Sequence, residues 1–324
     1  MARMARQIGL FAEPASDLSV VHDDARVLTA QLPAALHFGT SSWSFPGWTG
    51  LVYAHARSAS QLARDGLREY ASHPLLTTVG IDRSYYAPIP VEDFRRYASQ
   101  LPSGFRCAIK APASVTAWAT SGTGTPVRNP DFLSPARLID ELLEPCAVAF
   151  GDHTGPIILE CPPVPRGLPL APDAFAERLD ACLDQLPRDF TYAVELRDRA
   201  LLTPTYAAVL ARHRATHTYN YWTAMPLPSA QALTVPVTTG TTETMVIRLL
   251  LRPGTRYAAQ KAAFEPFNAI VEPDATMRAD VVALARRGLA AGRRVYVLVN
   301  NKAEGSSPLT IRALAEAWCA TDLR

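Results

Sequence analysis

The 324-residue sequence has five cysteines, Cys107, Cys146, Cys161, Cys182 and Cys319, and no two of them form a C-x-x-C pair. That spacing excludes the common zinc and dithiol motifs and fits a chain whose thiols stay reduced. Excess charge of one sign is also missing: Lys plus Arg is 32 and Asp plus Glu is 30. Nothing therefore draws the whole molecule toward nucleic acid or an anionic membrane, and any anion site has to be local. No run approaches the roughly 18 uninterrupted apolar residues of a membrane helix, so a membrane partner is not expected. Arg3 and Arg6 are followed by Glu13, Asp17, Asp23 and Asp24 instead of an apolar core. This is not the pattern of an export signal, and a cytoplasmic location is the expectation. Repeats and low-complexity segments are absent as well.

What is present is apolar side chain in quantity: 48% of residues are hydrophobic and 19% charged, enough for a sizeable core in an ordered chain. Residues 1–35 sustain no period and read as an N-terminal arm, a candidate strap. From residue 36 to 324, short β-branched runs alternate with stretches of helical spacing. The strands are expected at Leu36–Ser41, Leu76–Asp82, Phe105–Lys110, Pro156–Cys161, Thr191–Leu196, Ala215–Asn220, Met245–Leu250 and Val295–Asn300. Helices are expected at Ala59–Ala71, Val91–Leu101, Pro135–Phe150, Pro172–Leu186, Pro204–Arg212, Ala279–Ala290 and Pro308–Ala320. Several start with a hydroxyl cap before proline, as in Ser134-Pro135, Thr203-Pro204 and Ser307-Pro308. Eight β-α units predict an α/β fold, a single TIM-like (β/α)8 barrel domain. Tyr221–Thr244, rich in Pro, Thr and Ser, shows no clear helix and is expected to form an irregular crossover or lid.

Successive strand side chains face opposite sides, so period two separates the barrel interior from the helix-facing surface. Ile109, Ile157, Leu159, Val194, Leu196, Ile247 and Leu249 fall on the helix side. Lys110, Glu160, Glu195, Arg197 and Arg248 then face inward near the C-terminal ends, with Asp82, Asn220 and Asn300 at strand ends, where barrel enzymes keep their chemistry. Lys110, Arg197 and Arg248 could instead pair with Asp82, Glu160 and Glu195 and simply fill the barrel. Such pairing offers little net stability over apolar filling, so the concentration of charge at one face favours a ligand or catalytic role.

The loop after the first strand carries Trp43, Phe45, Trp48 and Tyr53, and the next carries Tyr85 and Tyr86. Trp43 and Tyr86, nearest the strand ends, are the better candidates to stack on a ligand ring; Trp48 and Tyr53 are as well explained by packing. Asn300-Asn301-Lys302-Ala303-Glu304-Gly305-Ser306-Ser307 is a Gly/Ser turn before a helix, able to hold a phosphate beside Arg248 or to be an ordinary cap. His213 and His217 have metal-like spacing but fall on different elements, so no metal site and no cofactor is expected. Cys161 reads as a buried, inert thiol more than a nucleophile. Arg286-Arg287 and Arg293-Arg294 complement a helix C-terminus.

The order of motifs carries a resemblance: Gly39-Thr40-Ser41-Ser42-Trp43-Ser44; Val79-Gly80-Ile81-Asp82-Arg83-Ser84-Tyr85-Tyr86; Phe105 to Ala111; Pro162-Pro163; Ala193-Val194-Glu195-Leu196-Arg197; Ile247-Arg248-Leu249; and Val299-Asn300-Asn301. Together, from about residue 36 to 320, the chain resembles domain-of-unknown-function family seventy-two. The resemblance implies a TIM-like barrel and implies family positions at Trp43, Tyr86, Lys110, Glu195, Arg197, Arg248 and Asn301; it implies no reaction. The chain departs from the family pattern at Gly80, Asp82, Glu160 and Cys161. Ala117, Asp198 and Leu250-Leu251 stand where family members carry histidine, which argues against shared imidazole or metal chemistry.

The leading expectation is a metal-independent enzyme acting on a small anionic ligand, phosphorylated or carboxylated. Arg197 and Arg248 would clamp the anion, Trp43, Tyr86, Asn300 and Asn301 would complete the pocket, and Glu195 or Glu160 would transfer protons beside Asp82. Lys110 would be an electrostatic stabiliser or a Schiff-base nucleophile. A nucleotide-binding or nucleic-acid-end-binding protein ranks second, because no basic stripe accompanies the aromatics. A scaffold that has lost activity is the third expectation.

Overall fold

A computed structural model of the chain describes residues 18–120, 125–240 and 242–321. Eight parallel strands close a barrel: β1 Leu36–Thr40, β2 Thr78–Ile81, β3 Arg106–Lys110, β4 Thr154–Cys161, β5 Tyr192–Leu196, β6 Thr216–Tyr221, β7 Thr244–Leu249 and β8 Arg294–Val299. Each pairs with its neighbours in sequence, and β1 pairs with β8 from Leu36↔Val295 to Thr40↔Val299. The fold is the expected TIM-like (β/α)8 barrel, and every expected strand is found with ends shifted by one or two residues.

Two cores follow from period two. Ala108, Ile158, Ala193, Val246, Tyr296 and Leu298 pack inside the barrel. Ile109, Ile157, Leu159, Val194, Leu196, Ile247 and Leu249 join the larger core between strands and helices. Short side chains on β3 and β5 keep the interior narrow enough to fill without a pore.

The helices differ from expectation in instructive places. The stretch after β1 breaks at Gly66 into Ala59–Asp65 and Leu67–Ser72. Within Pro135–Ala149 the helix opens into a π turn over Ile139–Leu143. Pro145 follows; it has no N–H and its ring would meet the carbonyl of Glu141 in a regular helix. Leu18–Thr29, inside the expected arm, is a helix; Ala25 is buried, and Asp24 accepts from Arg312 of the last helix at 3.0 Å. The rest of the expected arm, residues 1–17, lies outside the described residues.

Tyr221–Thr244 also contains a helix, Pro228–Thr234, that has no side-chain cap. Tertiary bonds hold it instead. Buried Gln231 donates to Asn220 O and Pro226 O at 2.7 Å each and accepts from Asn220 N–H at 3.2 Å. Its Oε1 also lies 2.9 Å from Nε2 of His217, whose Nδ1 lies 2.9 Å from the Tyr206 hydroxyl. Both ring nitrogens are thus occupied, and burial pushes the His217 imidazole down to about 4. His213 pairs with Asp180, so the two histidines do not converge. Cys161 is buried, and burial pushes its thiol up, as expected of an inert cysteine.

One hydroxyl ties the first two strands together outside the barrel. Tyr70 Oη accepts from Thr40 N–H at 3.0 Å and donates to Thr78 O at 3.0 Å, while fully buried. Tyr70→Phe leaves two buried backbone groups without this partner. We expect a loss of about 1–3 kcal/mol of stability in urea unfolding, whereas an unchanged midpoint would show that the strands relax around the gap.

Candidate functional site

The inward charges meet at the C-terminal ends of the strands. Glu160 on β4 and Glu195 on β5 are partners in parallel register, so two carboxylates stand side by side where like charges repel. Arg197, one residue beyond β5, bridges them: Nη2 donates to Glu160 Oε2 at 2.7 Å and Nε donates to Glu195 Oε1. Arg248 on β7 reaches Glu195 Oε2 at 2.6 Å, Glu160 Oε2 at 3.4 Å and both oxygens of Asp82 at 3.1 Å. Lys110 on β3 completes the array, its Nζ 2.8 Å from Glu160 Oε2. Three cations thus share one oxygen of Glu160.

Exposure grades the members. Glu195 and Arg248 are sealed, Lys110, Glu160 and Arg197 are nearly so, and the Asp82 side chain is 27% exposed. Burial alone would push the Glu160 carboxyl up, but Arg197, Lys110 and Arg248 outweigh it and hold it down to about 2. Burial disfavours the Arg248 charge, and Glu195, Asp82 and Glu160 more than restore it, raising its pKa.

Aromatic rings cover the remaining faces of the cations. Lys110 Nζ lies 3.7 Å from the Tyr85 ring centre and Arg197 Cζ lies 4.1 Å from that of Trp222, distances at which the ring quadrupole attracts a cation. Tyr86 is 81% exposed at the rim. Burial raises its phenol, and the charge of Asp82 and the nearby Tyr257 add to that shift. A cleft of about 440 Å³ beside the array is lined by Tyr85, Tyr86, Trp118, Pro162 and Pro163.

Not every sequence candidate lies here. Trp43 is buried in the outer core, its indole N–H donating to Leu62 O at 2.9 Å and its ring edge-on to Tyr97; the chain turns outward after β1 and takes the side chain away from the opening. Trp48 and Tyr53 are buried in the same core. Asn300 Oδ1 accepts from Lys302 N–H at 3.1 Å and Asn301 Oδ1 from Ser307 N–H at 2.8 Å. Both asparagines thus hold the turn after β8 in shape, and Asn301 caps the last helix. Fully buried Glu304 clamps a second segment over this turn, accepting from Asp274 N–H at 2.6 Å and from Arg278. The turn is therefore covered where the sequence suggested a phosphate cradle.

Sequence reasoning did not single out Lys302. Its Nζ lies 4.4 Å from the Tyr257 ring centre, and the residue is buried. Among the described residues it has no carboxylate within 4.0 Å. No group of three or more His, Cys, Asp or Glu among the described residues is arranged to hold a metal ion, and no helix is long and apolar enough to cross a membrane.

The family model described as a protein of unknown function, DUF72, matches residues 37–322. The chain belongs to the DUF72 family. It is similar to the crystal structure of a DUF72 family protein from Enterococcus faecalis, with 14% identity, 89% of this chain and 98% of that one covered, and a TM-score of 0.55. A DUF72 family protein from Thermotoga maritima is similar at 19% identity over 89% of this chain and 99% of that one, with a TM-score of 0.54. No curated protein matches the sequence. At these identities the likeness supports the DUF72 barrel and leaves the chemistry to the residues of this chain.

The Glu160 carboxyl gives a pH signature. Its folded pKa, about 2, lies below the ordinary 4.5, so its stabilisation is complete above the unfolded value and disappears as pH falls from about 4.5 toward about 2. Glu160→Gln should flatten that acid limb in urea unfolding measured against pH. At neutral pH it should cost about 3–5 kcal/mol, because three buried cations then share two carboxylates.

Proposed function

We propose that this DUF72 protein binds a small anionic molecule at the C-terminal mouth of the barrel and carries out proton-transfer chemistry on it. The observation that carries this reading is the unequal state of the cations. Arg197 and Arg248 are ion-paired with Glu160, Glu195 and Asp82, whereas buried Lys302 has a ring beside it and no carboxylate within 4.0 Å among the described residues. Lys110 has one carboxylate and one ring. A phosphoryl or carboxylate group entering beside the exposed Tyr86 would find buried Lys302 the cation without a counter-charge, and Lys110 next.

Roles follow from accessibility and charge. Asp82 is the carboxylate that solvent and ligand can reach, so it is the proton carrier. Glu160, ionised through the neutral range, fixes Lys110 and the two arginines, since a carboxyl held at about 2 is a weak base and no acid at neutral pH. Glu195 positions the guanidinium groups. Tyr86 and the cleft wall of Tyr85, Trp118 and Pro162 would receive a flat or apolar part of the ligand.

A second reading, binding without chemistry, is favoured by one fact: three cations and three carboxylates already balance. It covers a nucleotide or a nucleic-acid end as the bound group, and a scaffold if nothing binds.

The thermal midpoint of the purified protein, measured against sugar phosphates, nucleotides, carboxylic acids and divalent metals, tests both, since a native-state ligand raises it by mass action. We expect a rise with a small anion that Lys302→Met abolishes and Lys110→Met reduces, and a product that Asp82→Asn no longer forms. Binding that survives with no product from any ligand would favour the second reading; a flat panel would overturn both forms of ligand binding.

A further inference from the structure

The opposite end of the barrel carries arginines that have no ion-pair partner among the described residues. A cavity of about 420 Å³ opens between the first residues of the strands, with Arg106 of β3, Thr154 and Gly155 of β4, Thr244 of β7, and Arg294 and Tyr296 of β8 in its wall. At this face a barrel ordinarily keeps residues for stability, and polar side chains here are expected to be neutralised in pairs. They are not.

Arg106 is held in place without a carboxylate: its Nη1 donates to Gly151 O and Thr154 O, both at 3.1 Å. Its other N–H groups make no bond to protein among the described residues. Arg294 also lines the cavity, at the start of β8 and two residues before Tyr296. Among the described residues neither arginine has a carboxylate within 4.0 Å. Asp189 on the cavity wall is exposed and is the one acid lining it.

Tyr296, in the wall, is backed by an uncharged ring. His37 stacks on Tyr296 with ring centres 5.0 Å apart and planes 26° from parallel. Burial, with the charge of Arg294, pushes this imidazole down to about 4, so it stays neutral at pH 7. Thr191 and Thr244 border the cavity with hydroxyls that bond no other side chain. The space continues past Thr191, Thr244 and Arg294 into a second cavity of about 330 Å³, lined also by Asp184 and Glu243, where Arg188 and Arg214 have no carboxylate within 4.0 Å among the described residues.

We propose that this N-terminal cavity is a binding site for a dianionic phosphoryl group, clamped between Arg106 and Arg294 and bonded by the threonine hydroxyls. Arg106, fixed by two backbone carbonyls, and Arg294, both without a carboxylate partner among the described residues, offer two guanidinium groups to phosphate oxygens. Asp189 is the one acid in this wall and no thiol lines it, so the site binds and holds. It is independent of the mouth, which lies at the other end of the strands, and stands or falls separately from the proposed function.

Calorimetric titration of the full chain with inorganic phosphate, at constant ionic strength maintained with chloride, tests it. The titration is run in wild type and in Lys302→Met, so that an anion at the mouth does not contribute. We expect saturable binding in both, weakened at least about tenfold by Arg294→Gln. Arg294 is exposed and makes no ion pair, so this variant should fold; Arg106→Gln, which also releases two backbone carbonyls, is the second variant and should show the same loss if it folds. Pyrophosphate should bind more tightly than phosphate if Arg188 and Arg214 receive the second group. Phosphate binding that persists in Arg294→Gln, that disappears in Lys302→Met, or that is absent from wild type would overturn the proposal.

Discussion

One oxygen of Glu160 organises the functional end of this barrel. Lys110, Arg197 and Arg248, from three different strands or strand ends, all converge on Oε2. Without that anion the three cations would repel one another in a space closed to solvent. With it, Arg197 and Arg248 are fixed so that their remaining N–H groups bond Glu195 and Asp82. The register pairing of Glu160 with Glu195 is tolerable only because those same guanidinium groups span both carboxylates.

Desolvating six charges is costly, and well-packed apolar residues would fill the same space at equal or better stability. The interior just below does this with Ile158, Val246 and Leu298. The change from apolar to ionic within two residues on β3, β4, β5 and β7 is therefore a local exception to the packing that closes the barrel. Such exceptions are characteristic of functional sites, and the partly accessible Asp82 and the exposed Tyr86 stand at its outer edge.

Much of this was legible from alternation alone. Strand period two assigned Lys110, Glu160, Glu195, Arg197 and Arg248 to one face, and β-branched runs marked all eight strands, because a parallel sheet covered on both sides tolerates few alternatives. Long-range bonding was not legible. The helix Pro228–Thr234 has no cap and depends on Gln231 reaching Asn220, and the helix Tyr257–Phe264 likewise begins without a side-chain cap. Trp43 looked like a pocket residue because it follows a strand end, but the direction of a side chain after the last strand residue depends on the loop, which strand periodicity does not encode. Lys302 was hidden for the opposite reason: its role comes from what it lacks, an ion-pair partner, and only the placement of its neighbours reveals that.

The account holds that the array is kept for a ligand and not for stability, and a balanced substitution examines this directly. Lys110→Met together with Glu160→Leu removes one charge of each sign and leaves Arg197 and Arg248 with Glu195 and Asp82. Urea unfolding and the response to small anions should be measured on this double variant beside the wild type. The account predicts stability within about 1 kcal/mol of wild type or above it and loss of the anion response. A large loss of stability with the anion response intact would contradict it and make the array a structural plug.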